Sequence, residues 1–90
     1  MSSPTSRQME ALRAVAVFQD EHGYPMSYRD LCDSLGLSSV SSSYKLLTAL
    51  ERKGLVKIMR GRNRAVTVTG MGRGWLEIDH AKRNARVIGA

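Results

Sequence analysis

The sequence predicts an α+β domain, three helices followed by a two-stranded antiparallel hairpin. Two observations predict it. Apolar residues recur at steps of three and four in three successive stretches, each opened by Ser or Thr and closed by Gly. Two runs rich in β-branched and apolar residues then flank a turn segment containing Gly and Asn. The chain has 90 residues, enough for a single modest core.

Thr5-Ser6-Arg7-Gln8 opens the first helix, because a hydroxyl three residues before Gln can form a reciprocal cap. Met9, Leu12, Val15 or Ala16, and Phe18 then follow at helical spacing, which places this helix at residues 6–22. Gly23-Tyr24-Pro25 ends it. Ser27 caps the second helix, where Asp30 suits the positive end of the helix dipole and Tyr28, Leu31, Cys32 and Leu35 form the apolar face. Gly36 stops it, and Ser38 or Ser39 can cap a third helix.

The stretch Leu37–Leu47 holds five serines around Val40. It is a helix start rather than a linker, because Val40, Ser43, Leu47 and Leu50 continue in register on one face, with Leu46 beside them. That stripe is expected to enter the core, and Gly54 to cap the end. Each serine costs a few tenths of a kcal/mol in helix propensity relative to alanine, so local stability does not explain their number.

Leu55–Met59 and Ala65–Thr69 read as strands, joined by the basic tip Arg60-Gly61-Arg62-Asn63-Arg64. Gly70-Met71-Gly72-Arg73-Gly74 reads as a flexible hinge. From Trp75 to Arg86 a further C-terminal helix or tail is expected. The resulting organisation is a disordered N-terminus over 1–4, a domain over 5–69, and a hinge and helix or tail over 70–90. This order of elements is a winged helix-turn-helix, with a short Gly-containing turn between the second and third helices. In that architecture the third helix enters the major groove of double-stranded DNA. The serines then have a role: short hydroxyl side chains let the helix backbone approach closely and bond to phosphates and base edges.

Charge is divided along the chain. Residues 1–50 carry four Lys/Arg against five Asp/Glu, and residues 51–90 carry ten against three. No acid lies between Glu51 and Glu77, while Arg52, Lys53, Lys57, Arg60, Arg62, Arg64 and Arg73 do. Such an asymmetry points to a polyanionic partner. The sites expected on DNA are Ser39, Ser41, Ser42, Tyr44 and Lys45 on the third helix. Ser27 and Arg29 at the start of the second helix, and Arg52 and Lys53 at the end of the third, join them. The wing contributes Lys57, Arg60, Arg62, Asn63 and Arg64 on the backbone or minor groove.

Other chemistries find little support. His22 and His80 lack ligand-spaced partners, and Asp30 and Asp33 lack a nucleophile or base to act with. Acids rather than bases flank the one cysteine, Cys32, which reads as a small core hydrophobe. Gly70-x-Gly72-x-Gly74 departs from the dinucleotide-binding pattern and lies in no βαβ unit. Neither enzyme activity nor a cofactor is expected. With no apolar run near the ~18 residues of a membrane span and no signal-peptide pattern, a cytoplasmic protein without membrane contact is expected.

Thr5-x-Arg7-Gln8-x-Glu10, Gly23-x-Pro25-x-Ser27-x-x-Asp30-Leu31, Leu35-Gly36-Leu37 and Leu47-x-Ala49-Leu50-x-Arg52-Lys53-Gly54-Leu55-Val56 occur here in that order. Together they resemble the N-terminal DNA-binding domain of LexA-type SOS repressors, over residues 5–69. The resemblance implies a sequence-specific DNA-binding transcriptional regulator, a repressor, with base-reading positions at Ser39, Ser41, Ser42, Tyr44 and Lys45. LexA proteins usually carry Asn at the position of Ser41 and acids at those of Tyr44 and Lys45, so a different operator is expected here. They also carry a self-cleaving, dimerising peptidase domain, which is not expected in this chain. A homodimer through residues 70–90, where Trp75, Leu76 and Ile78 offer apolar surface, is the corresponding expectation. The competing one is that Trp75 and Leu76 fold back on the first helix of a monomer. The alternative function is a winged-helix protein-interaction module that antagonises a partner regulator. Arg60, Arg62 and Arg64 favour the DNA reader, since a protein binder has no general need of them.

Overall fold

The computed structural model describes residues 3–59, 61 and 65–88, with side chains described up to residue 82. In chain order it holds α1 (Ser6–His22), α2 (Tyr28–Leu35), α3 (Val40–Arg52), β1 (Val56–Met59), β2 (Ala65–Val68) and α4 (Gly70–Ile88). The order is that of a winged helix with one added helix.

The expected caps of the first two helices form. Thr5 Oγ1 accepts from the Gln8 N–H at 3.1 Å, and Gln8 Oε1 accepts from the Thr5 N–H at 3.1 Å. Ser27 and Asp30 make the same reciprocal pair at 3.1 and 3.0 Å. Each pair satisfies two donors that a bare helix start leaves open. At the end of α2, Gly36 adopts φ 64°, a left-handed conformation that glycine reaches without steric cost. The chain can then turn at once, with Leu37 N–H donating to the Cys32 carbonyl at 2.9 Å, and α3 follows at Val40.

Leu12 and Val15 of α1, Leu31 of α2, and Leu47 and Leu50 of α3 meet in one buried cluster. Leu55, Val56, Ile58 and Val66 close it from the hairpin side. β1 and β2 pair antiparallel with Val56 opposite Val68 and Ile58 opposite Val66. The alternation along β1 buries Val56 and Ile58 and turns Lys57 and Met59 outward. Among the described residues three bonds tie the hairpin to the helical part, one of them from Val68 N–H to Gln19 Oε1 on α1 at 3.2 Å. Val66 N–H donates to the Met26 carbonyl at 2.8 Å, forming a bridge just before the α2 cap. Glu51 Oε2 on α3 accepts from Ile58 N–H at 3.1 Å.

Two expectations are corrected. The glycine-rich segment 70–74 is not a hinge but the opening of α4. Thr69 starts that helix: its Oγ1 accepts from Gly72 N–H at 3.0 Å and its carbonyl accepts from Arg73 N–H at 2.9 Å. Gly72 is required by packing, since a Cβ there would collide with the Leu55 carbonyl and lie 2.8 Å from Val68 Cγ2. Val40 does not enter the core. It is the first residue of α3 and is 41% exposed, so the buried stripe begins one turn later, at Ser43.

α4 lies along α1. Trp75 and Leu76 pack against the core cluster. Arg73 bonds Asp20 through both terminal nitrogens, and Arg13 bonds Asp79 at 2.9 Å. Among the described residues no helix is long and apolar enough to cross a membrane.

Candidate nucleic-acid interface

The first half of α3 is unusually polar, and the structure divides its serines. Ser43 is fully buried, with the helix face it shares with Leu47 and Leu50. Ser39 and Ser41 are exposed and Ser42 is half-buried. Ser39 occupies the N-cap position of α3, but its side chain makes no capping bond. The expected cap is therefore absent, and the hydroxyl is available to an outside partner.

Tyr44 and Lys45 are exposed next to Ser41. Tyr28, Val40, Ser41, Tyr44 and Lys45 together line an open depression where α2 meets α3. The Tyr44 ring stands edge-on to the buried Tyr28 ring, centroids 5.8 Å apart at 65°. That arrangement suits the quadrupoles of two aromatic rings. Sequence reasoning missed Val40 and Tyr28 as parts of this surface because both looked like core residues of amphipathic helices. Only the crossing of the two helices reveals their position.

Lys45 lines the depression, and further exposed cations lie on α2, α3 and β1. Arg29 is exposed in the first turn of α2. Lys45 and Arg52 are exposed seven residues apart on α3, which puts them on one face. Lys57 projects from β1. Ser27 is half-buried, with its hydroxyl committed to the α2 cap. Lys53 turns away from this group: its Nζ donates to Gln8 Oε1 at 2.6 Å and to the Ser3 carbonyl at 3.1 Å. Arg60, Arg62, Asn63 and Arg64, the expected wing contacts, lie outside the described residues.

Three of the described cations on α1 and α4 are ion-paired, while Lys82 on α4 is not. On α1 and α4, Arg7 pairs with Glu10, Arg13 with Asp79 and Arg73 with Asp20. Among the described residues, Arg29, Lys45, Arg52 and Lys57 pair with no carboxylate. An unneutralised basic surface around a small-residue helix start can receive a polyanion. No group of His, Cys, Asp and Glu that could hold a metal ion occurs among the described residues.

Residues 1–65 match the family model described as the LexA DNA binding domain. The chain belongs to this family. The LexA repressor 2 of Nocardia farcinica is 43% identical over 67 residues, covering 74% of this chain and 28% of that protein. The LexA repressor of Ligilactobacillus salivarius is 33% identical over 89 residues, 99% of this chain and 43% of that repressor. The chain thus spans less than half the length of these LexA relatives. Among solved structures, a putative transcriptional regulator from Pseudomonas aeruginosa superposes with a TM-score of 0.76 at 25% identity, over 97% of this chain and 59% of that one. A MarR family protein from Bacillus stearothermophilus gives a TM-score of 0.68 at 25% identity, over 93% of this chain and 59% of its own. On this LexA-family scaffold, of the positions matched to base readers by resemblance, Ser39, Ser41, Tyr44 and Lys45 lie exposed and Ser42 half-buried over the N-cap and first half of α3.

Proposed function

We propose that this chain is the double-stranded-DNA-binding part of a transcriptional repressor, with α3 in the major groove. Ser39, Ser41, Ser42, Tyr44 and Lys45 read base edges. Ser27 and Arg29 at the start of α2, Arg52 and Lys53 at the end of α3, and Lys57 on β1 meet phosphates. Ser27 and Lys53 must give up internal bonds to do so. Arg60, Arg62, Asn63 and Arg64 extend the contact to the backbone or minor groove. The observation that carries the reading is the exposed start of α3, where Ser41, Tyr44 and Lys45 line an open depression, together with the exposed, unpaired cations Arg29, Arg52 and Lys57 on α2, α3 and β1. It also favours DNA over a protein antagonist's surface, for which unpaired charge serves no general purpose. Selection from random duplex DNA tests it. A recovered consensus, bound more weakly as salt rises, is the expected result. Recovery of no sequence above background refutes it.

A single domain reads few base pairs, too few to stand out among a genome's competing sites. Pairing of two copies through α4 answers this. Met71 and Ile78 lie seven residues apart on one face of α4, each 50% exposed after Trp75 and Leu76 have packed inward. Such a pair would favour inverted half-sites one or two helical turns apart. Sedimentation of the chain and of Ile78→Glu tests the pairing. Dimers that dissociate in the variant are expected, and monomers in both, free and on DNA, refute it.

A further inference from the structure

Val40 and Tyr44 are one helical turn apart on the outer ridge of α3, 41% and 51% exposed. Between and beside them stand Ser41 and Lys45, both polar. The apolar pair is not a loose fringe. Val40 is β-branched and stiff at its first torsion, and the Tyr44 ring is backed edge-on by Tyr28, itself almost fully buried.

An apolar pair at the start of a groove-entering helix needs an apolar counterpart there. The floor of the major groove offers donors and acceptors at nearly every position. Its one apolar group on an unmodified base is the C5 methyl of thymine. We propose that Val40 and Tyr44 together form a reader for that methyl, so that each half-site carries a thymine opposite the first turn of α3. This rests on the DNA-binding reading above and adds a specificity-determining residue, Val40, that the charge pattern does not reveal. Ser41 and Lys45, on either side, would read the hydrogen-bonding edges of the neighbouring base pairs.

The test begins with the duplex recovered by selection. Each thymine is replaced in turn by deoxyuridine, which deletes the methyl and keeps every hydrogen-bonding group. At one position per half-site the wild-type chain should bind about fourfold more weakly, the value of one buried methyl-sized group. In Val40→Ala/Tyr44→Ala that position should lose its preference for thymine over uracil. Both side chains are half exposed, so the double variant keeps the core, and a matching circular-dichroism spectrum checks this. A consensus in which uracil is neutral throughout overturns the methyl reader and leaves DNA binding intact. A uracil penalty that persists in the double variant overturns it too, by assigning the methyl to other residues. Failure to select any sequence overturns both readings.

Discussion

The guanidinium of Arg73 on α4 grips the carboxylate of Asp20 on α1 with two bonds, Nη2 to Oδ1 at 2.7 Å and Nη1 to Oδ2 at 2.9 Å. The hydrogen bonds from Arg73 hold the Asp20 carboxyl below its ordinary pKa, and burial opposes them only in part. A carboxyl whose folded pKa is depressed contributes stability that is fully present above its unfolded pKa. That contribution is lost as pH falls through the lowered folded value. Trp75, the only tryptophan, reports whether α4 is docked. In an acid titration followed by its fluorescence, Asp20→Asn should lack one component of the wild-type transition. Superimposable titrations would remove Asp20 from the latch.

Gly72 and Gly74 should respond in opposite directions to alanine. Gly72→Ala drives a methyl into the Leu55 carbonyl and Val68, and should cost about 1–3 kcal/mol while loosening Trp75. Gly74→Ala meets open space within α4 and should gain up to about 1 kcal/mol from helix propensity. Urea unfolding of the two variants measures both. Equal effects would contradict the close approach of α4 to Leu55.

Ser43 is buried, and among the described residues its Oγ has no hydrogen-bond partner. Ser43→Ala removes an unpaid desolvation and improves helix propensity. Stability should rise by about 1 kcal/mol, seen as a higher urea midpoint at unchanged slope. DNA preference should stay as it was, because the side chain faces the core. A loss of stability would mean that the hydroxyl is satisfied in solution.

Exposed residues of the interface should separate into two kinds. Ser41→Ala or Lys45→Ala should change the preferred base at particular positions, at a cost of ~1–3 kcal/mol there. Arg52→Ala and Lys57→Ala should weaken binding to all sequences alike, each reducing the slope of log K against log salt by ~0.9. Titrations at several salt concentrations on matched and mismatched duplexes distinguish the two. A uniform loss for Lys45→Ala would reassign it to phosphate.

The parts of this fold that the sequence states openly are those set by neighbours along the chain. Thr5 with Gln8 and Gly23 bound α1 at Ser6–His22, the expected span. Ser27 with Asp30 and Gly36 do the same for α2. The parts it concealed depend on distant segments. Three glycines in five residues look like a break in any helix, yet Gly72 exists because α4 must approach Leu55. Val40 lies on the apolar stripe by spacing and is exposed because α3 starts before its neighbours can cover it. Lys53 reads as one more free cation until the fold brings Gln8 and Ser3 to it.

The bond from Val66 to Met26 has a mechanical consequence. Met26 directly precedes the cap of α2, so the hairpin and the helical pair are riveted at the root of the surface proposed to face DNA. In the proposed complex the two are the jaws of a caliper joined at this bond. A duplex whose backbone spacing departs from their opening must bend or twist to enter, and stiff and pliant base steps differ in how much that costs. Base pairs that no side chain touches thereby acquire a vote in which sites are occupied.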